Sequence, residues 1–150
     1  LSVNEVVTEA VKDFTSTLQD YPLQIEFEED PRSPICSLAP LEFELAVFNL
    51  LKNAKEALKA QKADEPKVFI KISSGETHCF VDISDNGAVI SDSDFERMGS
   101  VFKSGKASGL GIGLSIVRSI VQNHNGSLVL ERGKNGGLVC RIRLPIFNAE

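Results

Sequence analysis

Gly109, Gly111 and Gly113 alternate immediately ahead of the apolar-periodic run LSIVRSIVQNH. Alternating glycines let a backbone approach a ligand closely. A helix that follows them leaves its first N–H groups unpaired with its positive end outward, which attracts phosphate. Taken alone, a G-x-G-x-G run reads equally well as a flexible connector. Two familiar phosphate motifs are excluded. A Rossmann fingerprint needs a third glycine where Leu114 stands, and a P-loop needs a hydroxyl residue directly after Lys106, where SGKAS has Ala107.

Asn49 and Asn53 lie four residues apart and share one face of a helix. Asn49 interrupts the apolar run LAVF-N-LL, so its amide requires a partner if buried. Either asparagine can be a satisfied structural amide. The pair can also offer carbonyl oxygens to a hydrated Mg²⁺, which takes few protein ligands, and N–H groups to phosphate. Asp85 continues the parity of Cys79, Val81 and Ile83 at the end of HCFVDIS, which puts a carboxylate on the apolar side of a strand. It can accept from an exocyclic amine, or simply form the turn that D-N-G commonly marks. Lys106 can reach a terminal phosphate or remain a solvated loop lysine.

These groups need elements to hold them. Val3, Val6, Val7, Ala10, Val11, Phe14 and Leu18 follow helical spacing, and Ser2 with Glu5 fits a capping box. LQIEFE alternates as a strand, and PICSL fits a short second one. Pro40 opens a long helix with Val47, Leu50, Leu51, Ala54 and Leu58 as its stripe. VFIKIS and HCFVDIS form a hairpin through SGET. Residues 86–108 have no clear period, and Phe95, Met98, Val101 and Phe102 give that stretch apolar anchors of its own, as functional loops have. A helix closed by Asn125-Gly126 and two last strands complete the chain. The order αββαββ–loop–αββ, dominated by hairpins, predicts one α+β domain over residues 1–150: a two-layer sandwich, with a mixed sheet and helices on one face.

The 150 residues carry a net charge of −5 and the pI is near 5.1, which argues against nucleic-acid binding through phosphate neutralisation. Cys36, Cys79 and Cys140 are far apart, which suits a reducing compartment and no zinc site. No apolar run approaches the ~20 residues of a membrane span. A start at Leu1 rather than Met is expected of a piece of a longer chain.

With these residues in place, the chain resembles the catalytic ATP-binding domain of bacterial sensor histidine kinases, of the superfamily shared with gyrase, MutL and the heat-shock chaperone ATPases. NLLKNAKEAL is similar to the N box, DNG to the first glycine box, VFKSGK to the segment usually written P-F-F-T-T-K, and GLGIGLSIV to the second glycine box. NHNGSLVLERGKNGGLVCRIRLP looks like the closing helix end and hairpin. The resemblance covers essentially the whole chain and implies the Bergerat ATP-binding fold. It implies that Asp85 binds the adenine amino group, that Gly87 lets the chain pass close to the base, and that Asn53 with Asn49 holds Mg²⁺ and the phosphates. It further implies an ATP lid over roughly 91–108 with Phe102 as anchor and Lys106 near the γ-phosphate. Gly109, Gly111 and Gly113 would end that lid, with Leu114 joining the ATP-binding set.

Members that hydrolyse ATP usually carry Glu at the position of Asn49. An amide cannot take a proton from water, so Asn49 favours phosphoryl transfer to a supplied acceptor. The resemblance places that acceptor histidine on a separate upstream domain, because neither His78 nor His124 lies in the acceptor context. This piece alone is not expected to autophosphorylate. It also implies a homodimer in the full protein, a response regulator downstream, a cytoplasmic location, and membrane contact only through regions outside this chain. Three positions depart from the family pattern: Val89 replaces the second glycine of D-x-G-x-G, Leu138 a threonine, and Ala39 an aspartate. Val89 and Leu138 flank the adenine pocket and raise the alternative of a degenerate module that acts through partner contacts. A serine-directed anti-sigma-factor kinase on the same fold is less favoured by Asn49 and by the first helix.

Overall fold

The structure, a computed structural model, describes residues 1–104 and 110–147. Helix α1 (Val3–Thr15) leads to strand β1 (Gln24–Glu28), helix α2 (Pro40–Ala60) and the hairpin β2 (Lys67–Ser74) and β3 (His78–Asp85). Helices α3 (Asp92–Ser104) and α4 (Leu110–Asn123) follow, and β4 (Ser127–Arg132) and β5 (Leu138–Pro145) close the chain. The five strands form one mixed sheet in the order β1-β2-β3-β5-β4. Only β1 and β2 run parallel, because α2 is the crossover between them.

The alternation read from the sequence decides which face is buried. Val68, Ile70 and Ile72 of β2, Cys79, Val81 and Ile83 of β3, and Cys140, Ile142 and Leu144 of β5 all turn to the helices. Lys71, Asp82, Arg141 and Arg143 alternate with them on the open face, where Arg141 makes a two-pronged ion pair with Asp82. Against the apolar face pack Val3, Val7 and Phe14 of α1, Phe43, Val47 and Leu51 of α2, and Leu114, Val117 and Val121 of α4. This is the expected two-layer α+β sandwich.

Three local readings are corrected. Ser2 is the N-cap of α1 but makes no side-chain cap bond; its hydroxyl meets that of Ser33 instead, so the capping box is not formed. PICSL contributes a single bridge, Ser2 with Ile35, rather than a strand. The stretch 86–108 is not aperiodic, since α3 occupies Asp92–Ser104. Its start is marked in the sequence: the Ser91 hydroxyl accepts from the Asp94 N–H at 3.1 Å, an N-cap, with Asp92 and Asp94 in the first turn.

The helix pair that frames the site is tied by one side chain. His124 is buried at the end of α4; its Nδ1 faces the Ile120 carbonyl at 2.8 Å and its Nε2 accepts from the Ala39 N–H at 3.0 Å. Ala39, the N-cap of α2, has no side chain to cap with, and the imidazole takes up its N–H. Asn125 then ends α4 at φ 59°, with Gly126 N–H donating to the Val121 carbonyl at 2.9 Å.

Candidate nucleotide site

A cleft opens where the C-terminal half of α2, the end of β3, α3, the start of α4 and the β4–β5 turn meet. Asn53, Ala54 and Gln61 line it from α2, Asp85 from β3, Met98 from α3, Leu114 from α4, and Gly137, Leu138 and Cys140 from the last hairpin. The structure thus brings Asn53, Asp85 and Leu114 together, though they are separated in sequence by up to sixty residues.

Asn53 is half-buried, and its Nδ2 is fully buried without a hydrogen-bond partner among the described residues. An orphaned buried donor costs about 1–3 kcal/mol, so this amide is left open to a partner that the described residues do not supply. Asn49, one turn earlier, has its amide N–H donated to the Leu45 carbonyl at 2.9 Å. It has the partner its position demanded and is outside the cleft lining, on the same helix row as Asn53.

Asp85 forms the turn that D-N-G marks in the sequence. Oδ1 accepts from the Gly87 N–H at 2.8 Å; among the described residues Oδ2 has only the Leu138 N–H, at a long 3.4 Å. Burial holds this carboxyl above the usual carboxylate range, with the two N–H donors offsetting only part of the effect. The neighbouring Cys140 thiol is pushed up to about 12, first by burial and then by the Asp85 charge, so it stays neutral. The turn is closely packed. A Cβ on Gly87 would lie 2.7 Å from Asp85 Oδ1 and 2.8 Å from Gln61 Oε1, and one on Gly137 would lie 2.2 Å from the Asp85 carbonyl. A side chain at Gly137 would meet backbone at a positive φ of 76°, whereas one at Gly87 would have to push the Asp85 and Gln61 side chains aside.

The departures from the family pattern resolve in physical terms. Val89 is 79% exposed and is not among the residues at positive φ, so it neither crowds the cleft nor strains the turn. Leu138 gives the cleft an apolar wall and its backbone N–H to Asp85. On the other side of the cleft, Gly111 and Gly113 lie within the first turn of α4 rather than ahead of it, a correction to where that helix starts. Phe102 belongs to α3. Lys106 and Gly109 fall outside the described residues.

Sequence reasoning reads RGKNGG as a turn without assigning Gly137 to the cleft, and misses Gln61. Gln61 is the C-cap of α2, and its Oε1 accepts from the Ala88 N–H at 2.8 Å. It continues the four-residue row Asn49, Asn53, Ala57, and that row was the available signal.

The family model for histidine kinase-, DNA gyrase B- and HSP90-like ATPases matches residues 39–148. The chain belongs to that family. Its relatives include the sensor protein FixL of Bradyrhizobium diazoefficiens, 28% identical over 144 residues, which cover 96% of this chain and 28% of FixL. The histidine kinase domain of the E. coli osmosensor EnvZ has the same fold, with a TM-score of 0.72 at 27% identity over 100% of this chain and 89% of that one. The histidine kinase ThkA, solved in complex with the response regulator TrrA, matches with a TM-score of 0.79 at 24% identity, over 98% of this chain and 41% of that one. The chain spans roughly a quarter of the length of the curated sensor proteins it matches first.

Proposed function

We propose that this chain binds Mg·ATP in the α2–β3 cleft and is the catalytic domain of a sensor histidine kinase, passing the γ-phosphate to a histidine on a separate acceptor domain. One observation carries the reading: a buried amide without a partner among the described residues, a carboxylate short of donors and the first turns of α4 meet in one cleft. Asp85 Oδ2 accepts from the adenine amino group. Gly87 and Gly137 keep the wall thin enough for the base to reach it. Asn53, with Asn49 one turn behind, supplies carboxamide oxygen to Mg²⁺ and N–H to phosphate oxygens. Gly109, Gly111 and Gly113 let the backbone meet the phosphates, and Phe102 and Lys106 belong to the lid.

The donor set fits a metal that arrives with its nucleotide. Among the described residues no group of three or more His, Cys, Asp or Glu could hold a metal ion, and two amide oxygens suffice only for an ion that keeps water and phosphate ligands. Mg²⁺ so bound neutralises charge on the transferring phosphoryl group. Asn49 has no basic lone pair with which to take a proton, so the site orients and stabilises transfer without activating water for hydrolysis. The acceptor domain, a dimer built through it, a response regulator as the next acceptor and a cytoplasmic setting complete the proposal. Among the described residues no helix is long and apolar enough to cross a membrane.

Calorimetry with Mg·ATP on the wild type, Asp85→Ala and Asn53→Ala tests binding. Micromolar to millimolar affinity in the wild type, weakened in both variants, is expected; no heat and no thermal shift at saturating nucleotide would end the proposal. Supplying the acceptor domain and following phosphohistidine from labelled ATP tests transfer.

A further inference from the structure

Asp85 explains an affinity for an amino group, but an amino group alone does not define adenine; the neighbouring ring nitrogen must be read as well. The cleft offers one further polar side chain at that end. Gln61 lines it, and its carboxamide and the Asp85 carboxylate flank the same residue: Gly87, whose added Cβ would lie 2.7 Å from Asp85 Oδ1, 2.8 Å from Gln61 Oε1 and 3.3 Å from Gln61 Nε2. The two ends of the carboxamide are not equivalent here. Oε1 is committed to the Ala88 N–H at 2.8 Å, and this fixes the amide orientation because only the oxygen can accept. What remains at the cleft rim is the NH₂ group, a donor only. Beside it stands Asp85, when ionised an acceptor only.

We propose that Gln61 is a specificity-determining residue, whose Nε2 donates to the N1 acceptor of adenine while Asp85 accepts from the adjacent amino group. An acceptor next to a donor complements the amino–N1 edge of adenine. Guanine presents the reverse order, a carbonyl acceptor and an N1–H donor, and meets the pair with like facing like on both atoms. The Ala88 bond gives the arrangement its rigidity: the backbone that turns the chain after Asp85 also holds the Gln61 amide in the adenine-reading orientation.

This inference rests on the ATP reading, and its test separates the two. The probes are ATP, GTP and 1-deaza-ATP, which keeps the amino group and lacks only the N1 acceptor. Each is titrated as its Mg²⁺ complex into the wild type, Gln61→Ala and Gln61→Glu. The wild type is expected to bind ATP about tenfold more tightly than 1-deaza-ATP, the upper end of what one net hydrogen bond contributes, and to bind GTP more weakly still. In Gln61→Ala the ratio of ATP to 1-deaza-ATP falls to about one. Loss of the Ala88 tether weakens both nucleotides together and leaves the ratio untouched, so a purely structural role does not imitate the result. Gln61→Glu keeps an oxygen for Ala88 and puts an acceptor where the donor was, and its ratio is expected at or below one. If the wild type binds ATP and 1-deaza-ATP alike, or if Gln61→Ala still discriminates, Gln61 does not read the base while the ATP site stands. If the wild type binds no ATP, both readings fall together.

Discussion

Asp30 and Asp85 are both carboxylates turned into the protein, and their surroundings leave them in opposite states. Asp30, in the turn after β1, is 4% exposed. Burial alone would raise it, but the Ser74 hydroxyl and the Arg32 N–H donate to its two oxygens, the Arg32 guanidinium lies 4.0 Å away, and the net effect holds it below the usual range. Its backbone is held as well, through paired bonds with the Asn4 side chain. Asp85, half-buried by surface exposure but set in the wall of an apolar cleft, is held above the usual range by desolvation, which a turn N–H and one distant N–H do not offset. Surface exposure alone therefore does not distinguish a structural acid from a binding one. The distinction is whether the fold itself has supplied the donors.

The comparison breaks most directly on the paired removals. Asp85→Ala is expected to lower Mg·ATP affinity about a hundredfold, the loss of a charge-assisted bond in a desolvated cleft, without lowering the thermal midpoint. Asp30→Ala strands the Ser74 and Arg32 donors, is expected to cost about 2–3 kcal/mol of stability by chemical denaturation, and leaves affinity unchanged. If the two variants exchanged these effects, the assignment of structural and binding roles would be reversed.

Asn53 extends the contrast to an uncharged group. Replacing it with Leu removes an orphaned buried donor and keeps the volume. Stability is expected to rise by about 1 kcal/mol while Mg·ATP binding is lost. A stability loss would show that the amide is satisfied within the fold after all.

The pH dependence is smaller, and the two acids give it opposite signs. Asp30, with a lowered value, contributes stability above the ordinary 3.8 that is lost as pH falls through its folded value. Asp85, with a raised value, contributes stability below the ordinary 3.8 that is lost as pH rises through its folded value. Asp85→Asn should therefore be stabilised relative to the wild type at neutral pH, with the gap closing in acid. Nucleotide affinity runs the other way. Adenine's amino group favours the ionised carboxylate, so affinity falls as pH drops through Asp85's raised value, once the titration of the triphosphate itself is subtracted.

Much of this was legible in the sequence because periodicity and parity are local. The parity of Cys79, Val81 and Ile83 puts Asp85 on the apolar side of its strand, and the i, i+4 spacing puts Asn49 and Asn53 on one row. Helix α3 was hidden in a polar composition, although Ser91 and the spacing of Phe95 and Met98 marked it. Gln61 and the His124–Ala39 tie could not be read, because each is a contact between residues far apart in the chain whose types are common on any surface. Nor could the degree to which Asp85 lacks donors, since that depends on where the β4–β5 turn comes to rest.

The smallest expected effect concerns Val89. As a glycine replacement in a motif that usually turns on glycine, it reads in the sequence as damage to the base pocket. In the fold it is solvent-facing and not at positive φ, four residues past Asp85, whose register partner on β2 is Val68. Restoring Gly therefore relieves no clash and adds conformational freedom to the unfolded chain. Val89→Gly is expected to lower stability by about 0.5–1 kcal/mol and to leave the ATP dissociation constant within about twofold, less than RT ln 10 of change. A large gain in affinity on that substitution would mean that the turn following Asp85 must take up a left-handed backbone when nucleotide binds, and the rigid wall inferred for the base side of the cleft would have to become a moving one.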